Sequence, residues 1–445
     1  MKADTQQSGE RKLLLALLGR RESVQDEGEM LPLLRQINWV TFLNFTSGDL
    51  FPYLAFALEP YLNILERPPE WERLFNARRL TAVHNLRLRH ELARTLEALR
   101  ESGIPALALK GIVLAYAVYP DPSLRPMCDV DLLVPPGKRE DALRVLRTLG
   151  YDYPESVLAT NREHFGRLDP IQEYAPALQL RGSRVFIEVH TQLECSEPLF
   201  PMSVQEFWGR STLADLSGLS VRTLCPEDFL FHLCLHLSRS HRFEKGLLPL
   251  IDLKLLLDSR SDWNWARIVE RSLRCGCATW MYLTLEVARD LVGAMVPASF
   301  FEAFPQPRDL SKLRILAEEL IWSAQSSQPV IPLFLPTLLA EFSWRRRARM
   351  LLNRMRLVGR GEVGSEPTIA NHVRRARLSF RRLLATLRTK IPRYVYAWKS
   401  GHLKPHTIRR NVMLVRSSNT LFSLIEQETS HADQASLREI TSRAL

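Results

Sequence analysis

The hydrophobic period of this chain changes at Gly103, and that change constrains the fold more than any other feature. Before it, "WERLFNARRLTAVHNLRLRHELARTLEALRESG" spaces Leu74, Leu80, Val83, Leu86, Leu92, Leu96 and Leu99 three and four residues apart, the period of a helix. Ser102-Gly103 is a helix stop. After it the apolar runs are short. "IPALALKG", 104–111, ends in glycine and predicts a buried strand. "IVLAYAVYP", 112–120, predicts a short helix closed by Pro120. "CDVDLLVPP", 128–136, predicts a second strand ended by a proline pair, and "GKREDALRVLRTLGY" an amphipathic helix ending at Gly150. "APALQL" and "RVFIEVHTQL" predict two further strands joined by a turn at Arg181-Gly182-Ser183. Residues 104–195 are thus expected to be a small α/β unit. Helix resumes over 225–340, with Pro226-Glu227-Asp228 as a first turn.

At 445 residues the chain is too long for one simple core. The expected division is a helical region over 1–103, an α/β core over 104–222, a helical domain over 223–340, a basic helical segment over 341–416 and a polar tail of weak periodicity over 417–445. The net charge of +11 is placed unevenly. Residues 341–412 hold 19 Lys/Arg against Glu341, Glu362 and Glu366, leaving the rest of the chain slightly acidic. Six scattered cysteines form no CxxC pair and read as reduced thiols. The apolar patch from Leu13 to Leu18 is short and followed by Arg20 and Arg21, a better helix start than signal peptide. No run of 18 apolar residues occurs, so no membrane span is expected. These features predict a cytoplasmic protein, with peripheral membrane association as the alternative.

Two charges interrupt the second strand. Asp129 and Asp131 alternate with Val130, so in a strand they share one face, about 6.6 Å apart at Cα. Two ionised carboxylates side by side repel unless a cation sits between them. Such a pair suits Mg²⁺, a hard ion that takes carboxylates together with substrate phosphates. On an exposed strand the same pair would be a solvated face. In "RVFIEVHTQL", Val185, Ile187 and Val189 mark one face, while Phe186, Glu188 and His190 mark the other. Glu188 can complete a site of three carboxylates. Lys110-Gly111, between strand and helix, lets backbone and ammonium approach a phosphate.

The run Ile104-Pro105, Leu109-Lys110-Gly111, Tyr119-Pro120, Arg125-x-Met127-x-Asp129-Val130-Asp131-Leu132-Leu133-Val134, followed by a strand with acid-x-His, resembles the uncharacterised nucleotidyltransferase family of the DNA polymerase β-like superfamily. The segment "HLCLHLSRSHRFEKGLLPLIDLKLLL" resembles the family's downstream region, with His236, His241 and Asp252 at recurrent polar positions. The resemblance spans roughly 10–290. It implies an α+β fold, a small mixed sheet flanked by helical N-terminal and C-terminal regions. It also implies two-metal nucleotidyl transfer with Mg²⁺ or Mn²⁺ held by Asp129, Asp131 and Glu188. Lys110, Gly111 and Arg125 would contact a nucleoside triphosphate. Three differences from the wider superfamily stand out. Lys110-Gly111-Ile112 replaces Gly-Ser or Gly-Gly, Asp129 comes a long 18 positions after Gly111, and the third acid is glutamate.

The histidines read less sharply. His232 and His236 lie four apart, but Leu-Cys-Leu between them lacks a zinc-protease glutamate. His236 and His241 either line the cleft or pack the helix. His190 either orients Glu188, touches substrate or is structural, and Asp252 either pairs with a histidine or Arg242 or is simply one half of a buried pair. The segment 341–412 mixes arginine with Trp344, Phe380, Tyr394, Tyr396 and Trp398. It suits an anionic membrane surface, a nucleic acid, or a solvated helical face. The expected activity is transfer of a nucleoside monophosphate to an unknown hydroxyl-type acceptor, as an accessory to surface-polysaccharide or peptide-product biosynthesis in the sense the resemblance implies. Two alternatives remain: a DxD glycosyltransferase, or a catalytically degenerate scaffold binding nucleotide, nucleic acid or membrane.

Overall fold

The computed structural model describes residues 2–19, 27–154, 177–193, 202–304, 306–307, 309–325 and 412–428. The chain divides into two compact units. One comprises Met1–Tyr151, Gln179–Ser327 and Thr420–Leu445; the other comprises Asp152–Leu178 and Gln328–Asn419. Almost all described residues belong to the first unit. The basic segment 341–411 lies outside the described residues, and so does the proposed lipid or nucleic-acid contact through it.

Helices come first: α1 (Lys2–Gly19), α2 (Glu27–Gln36), α3 (Trp39–Phe45), α4 (Phe51–Ala57) and the long α5 (Glu72–Glu101). The α/β core follows with β1 (Leu107–Leu109), α6 (Lys110–Val113, running on as a π turn over Leu114–Val118), β2 (Asp129–Leu133), α7 (Arg139–Thr148), β3 (Tyr151–Asp152), β4 (Leu178–Leu180) and β5 (Phe186–His190). Then come α8 (Val204–Arg210), the hairpin β6 (Thr212–Asp215) and β7 (Ser220–Thr223), and the helices α9 (Pro226–Leu235), α10 (Leu248–Asp258), α11 (Trp265–Arg274), α12 (Ala278–Val292), α13 (Ala298–Glu302) and α14 (Leu310–Gln325). The architecture is α+β with helical flanks, as the sequence predicts. The β6–β7 hairpin was not legible. Its outer strand exposes both Thr212 and Leu213, so the alternation that marks a half-buried strand is absent.

The five-stranded sheet has the order β1-β2-β5-β4-β3. β1 runs antiparallel to β2, and β2 runs parallel to β5. The apolar alternation sets the faces. Val130, Leu132, Ile187 and Val189 are buried on one side, leaving Asp129, Asp131, Glu188 and His190 on the other. Between β4 and β5 the chain reverses at 181–184, where Gly182 takes a positive φ of 69°.

Two sequence expectations need correction. The apolar residues of α5 do not form one buried stripe. Leu74, Leu88, Leu92 and Leu99 are buried together with Thr81, Asn85, Glu91 and Thr95, whereas Leu80, Val83 and Leu86 face outward. The stretch after 416 is not merely a polar tail. Residues 412–428 are helical, because Leu421 and Ile425, one turn apart, are both fully buried and Phe422 packs edge-on against Trp280.

Candidate active site

Strand register assembles the site. Parallel pairing sets Asp131 opposite Glu188 and Leu133 opposite His190, while antiparallel β1 sets Leu109 opposite Asp131. Lys110 follows directly in left-handed backbone, φ 49°, a rare conformation for a residue with a Cβ. From there its Nζ donates to Asp131 Oδ1 at 3.1 Å. His190 Nε2 lies 2.7 Å from the same oxygen and 3.3 Å from Glu188 Oε2. Asp131 is 5% exposed, so its charge has little water to rely on.

The two aspartates respond oppositely. Burial would raise the carboxyl of Asp131, but Lys110 and His190 hold it well below the usual carboxylate range. Burial, followed by the charges of Asp131 and Glu188, pushes Asp129 up to about 6, against the pull of Lys110 and Arg125. Burial also draws the His190 imidazolium toward neutrality. Hydrogen bonds to Asp131 and Glu188 outweigh that and push its pKa up to about 9. Asp131 thus stands between two cations at neutral pH, and Asp129 is the carboxylate that gives way to a proton.

One ligand atom each from Asp131, Glu188 and His190 lies within 4.8 Å of the others. Carboxylate oxygens suit Mg²⁺, and an imidazole nitrogen beside them also suits Mn²⁺. The crowding that raises Asp129 is itself a sign of fit, since a divalent cation between the carboxylates would relieve it. His190 is the member that sequence reasoning underrated. Its position two residues beyond Glu188 was visible, but not its reach to Asp131 on the neighbouring strand.

Arg125 and Asp252 are paired with each other. Arg125 Nε and Nη2 donate to Asp252 Oδ1 and Oδ2 at 3.2 and 2.9 Å, and Nη1 donates to the Pro126 carbonyl. Asp252, on α10, takes neither a histidine nor Arg242; its further donor is Tyr119 Oη at 2.8 Å. This buried cluster lies against the Lys110-Gly111 turn, since a Cβ on Gly111 would fall 2.5 Å from Arg125 Nη1 and 3.3 Å from Met127 Cβ. Glycine is needed there for close approach, and Arg125 cannot easily yield. Gly111→Ala is therefore expected to destabilise the fold by about 1–3 kcal/mol. In an Arg125→Ala background the same change should be far milder, which a denaturant double-mutant cycle measures.

The long span of 18 positions from Gly111 to Asp129 also has a structural account. Helix α5 braces it: Asn85 Nδ2 donates to the carbonyls of Pro122 and Arg125, and Arg78 donates to Ser123 and Asp121. Asn85 and Tyr119 carried no sequence signal of these roles. His236 and His241 meet each other, with Nε2 atoms 3.0 Å apart, and His232 stacks on His236. The His236–His241 contact needs one ring nitrogen to donate and the other to accept.

The sequence model of a family described as "Uncharacterised nucleotidyltransferase" matches residues 37–293. The chain belongs to this family. The matched span of this nucleotidyltransferase domain runs from α3 through α12 and so contains every residue of the site. No curated protein and no solved structure matches the chain. No helix among the described residues is long and apolar enough to cross a membrane.

Proposed function

We propose that this protein is a divalent-metal-dependent nucleotidyltransferase that moves a nucleoside monophosphate from a nucleoside triphosphate to a hydroxyl-type acceptor. The observation that carries this reading is the parallel pairing of β2 with β5. It brings Asp131 beside Glu188, on the face that Asp129 shares, within reach of Lys110. Asp129, Asp131 and Glu188 would hold Mg²⁺ or Mn²⁺, with His190 at the margin. When bound, such ions supply positive charge to the attacking and leaving oxygens.

The chain's own groups have distinct duties. Lys110 offers an ammonium to the phosphates from a turn where Gly111 lets backbone come close. The acceptor hydroxyl oxygen forms a bond to the α-phosphorus, the α–β bridging P–O bond breaks, and pyrophosphate leaves. The hydroxyl proton passes to a carboxylate, for which Glu188 is best placed because His190 already orients its Oε2. Arg125 and Asp252 hold the turn rather than the substrate. Residues 104–222 would form the catalytic core, and 341–412 would meet an anionic surface, lipid or nucleic acid. The resemblance favours an accessory enzyme of polysaccharide or peptide-product assembly.

Incubation with each α-labelled triphosphate, Mg²⁺ or Mn²⁺, and lysate fractionated into protein, RNA and small molecules tests the reading. The expected result is label in one fraction with release of pyrophosphate. Label in RNA that is lost at high salt would identify a nucleic-acid acceptor. Sugar-nucleotide turnover without pyrophosphate, or no turnover at all, would count against nucleotidyl transfer.

A further inference from the structure

Helix α5 buries Leu74, Leu88, Leu92 and Leu99 but carries a second set of apolar residues on its outward face. Its inward face holds fully buried Asn85 and Thr95, with Thr81 and Glu91 also buried. Its outward face shows Leu80, Val83 and Leu86 at 72%, 69% and 62% exposure. Two of these inward groups are employed: Asn85 holds the segment leading into β2, and Glu91 accepts from Arg94 and Tyr151. The outward leucines and valine touch nothing comparable. At three-residue spacing they form one oblique band across the exposed face. Isolated exposed apolar residues need no explanation, but a contiguous band on a rigid helix marks an interaction surface.

The charges around the band identify the partner. Between Glu72 and Glu91 the helix carries five arginines and no acid. Arg78 and Arg89 are engaged inward, at Ser123 and Asp121 and at the Leu216 and Ser217 carbonyls. Arg73, Arg79 and Arg87 are exposed beside the apolar band, with His90 one turn on; Arg79 also pairs with the exposed Glu72 and donates to Asn76, so the local excess of positive charge rests chiefly on Arg73 and Arg87. A second copy of this chain fits poorly. A two-fold axis through Val83 would set Leu80 on the partner's Leu86, but it would also set Arg79 against Arg87 twice over. Apolar tips among arginines suit an interface of acyl chains and anionic headgroups.

We propose that the outward face of α5 docks on an anionic lipid surface, inserting Leu80, Val83 and Leu86 between headgroups that Arg73, Arg79 and Arg87 contact. The docking is peripheral, in keeping with the lack of a spanning helix among the described residues. It is independent of the catalytic reading and of the basic segment 341–412.

Sedimentation of the full chain with vesicles tests it, comparing phosphatidylcholine alone with phosphatidylcholine containing about 30 mol% phosphatidylglycerol. Wild type is expected to bind the anionic vesicles and not the neutral ones, less so at high salt. The triple variant Leu80→Gln, Val83→Gln, Leu86→Gln should lose at least about tenfold in partitioning, and Arg79→Ala with Arg87→Ala a comparable share. All these positions are exposed, and an unchanged thermal midpoint shows that the variants fold; Val83→Gln alone is the milder substitute. Absence of binding by wild type would overturn the proposal. So would a triple variant that binds like wild type, which would assign lipid contact to another surface. Light scattering that finds a dimer abolished by the triple variant would assign the face to a second copy.

Discussion

Asp131→Asn is expected to lower nucleotidyl transfer at least about a thousandfold, a loss of about 4 kcal/mol in the transition state. The variant keeps the shape of the side chain and removes its charge. That charge is what Lys110 Nζ and His190 Nε2 share, at 3.1 and 2.7 Å. The substitution should also destabilise the fold, since removing one partner of a buried ionic cluster leaves the others facing each other, at about 3 kcal/mol. The pH dependence has a definite sign. Asp131 is held below its unfolded value, so its stabilising contribution is complete above about pH 4 and is lost in stronger acid. His190 is raised to about 9, so its share is complete below its unfolded value and is lost as pH rises through about 9. The stability gap between wild type and variant should therefore be widest between these limits. Chemical denaturation across pH measures it, and a fully active Asp131→Asn enzyme would remove this residue from the site.

Asp129→Asn should abolish transfer as well, yet raise the stability of the metal-free protein. Asp129 is pushed up to about 6 by burial and by its neighbours Asp131 and Glu188. A carboxyl raised above its unfolded value near 3.8 favours the folded state in acid. That advantage declines as pH rises between the two values, leaving a penalty of roughly 1–3 kcal/mol above pH 6. Asparagine removes the charge and with it the penalty. At pH 8 the variant is expected to melt a few degrees above metal-free wild type, and near pH 4 the two should coincide. Mn²⁺ should raise the midpoint of wild type and leave the variant nearly unmoved. A variant less stable than wild type at pH 8 would show that Asp129 is not under repulsion.

The contrast between neighbouring aspartates explains how far the site could be read in advance. Their shared face follows from alternation with Val130, and the acid-x-His pattern of β5 from alternation with Ile187 and Val189. Which aspartate meets Lys110 depends on the register of two strand pairings, and β2 and β5 are separated by more than fifty residues of chain. Arg125 and Asp252 are 127 residues apart, too far for any local pattern to relate them. The period of α5 was legible, but not which side faces inward. Asn85 and Arg78 decide that, because the segment before β2 needs donors for its carbonyls and for Asp121 and Ser123. The β6–β7 hairpin escaped because β6 exposes Thr212 and Leu213 alike, and the helix at 412–428 because few of its residues are buried beside Leu421 and Ile425.

Sequence by itself determined the local elements and the kinds of chemistry they can carry. Hydrophobic period dictates helix or strand within a few residues, and a carboxylate pair on one strand face has few uses that repulsion allows. Tertiary structure alone decided the partners. Charge interactions fall with distance and strengthen with burial, so the state of each aspartate belongs to the assembled sheet and not to the DxD motif. For the same reason the arginine next to that motif serves as a brace against Gly111, since Asp252 reaches it only in the folded chain.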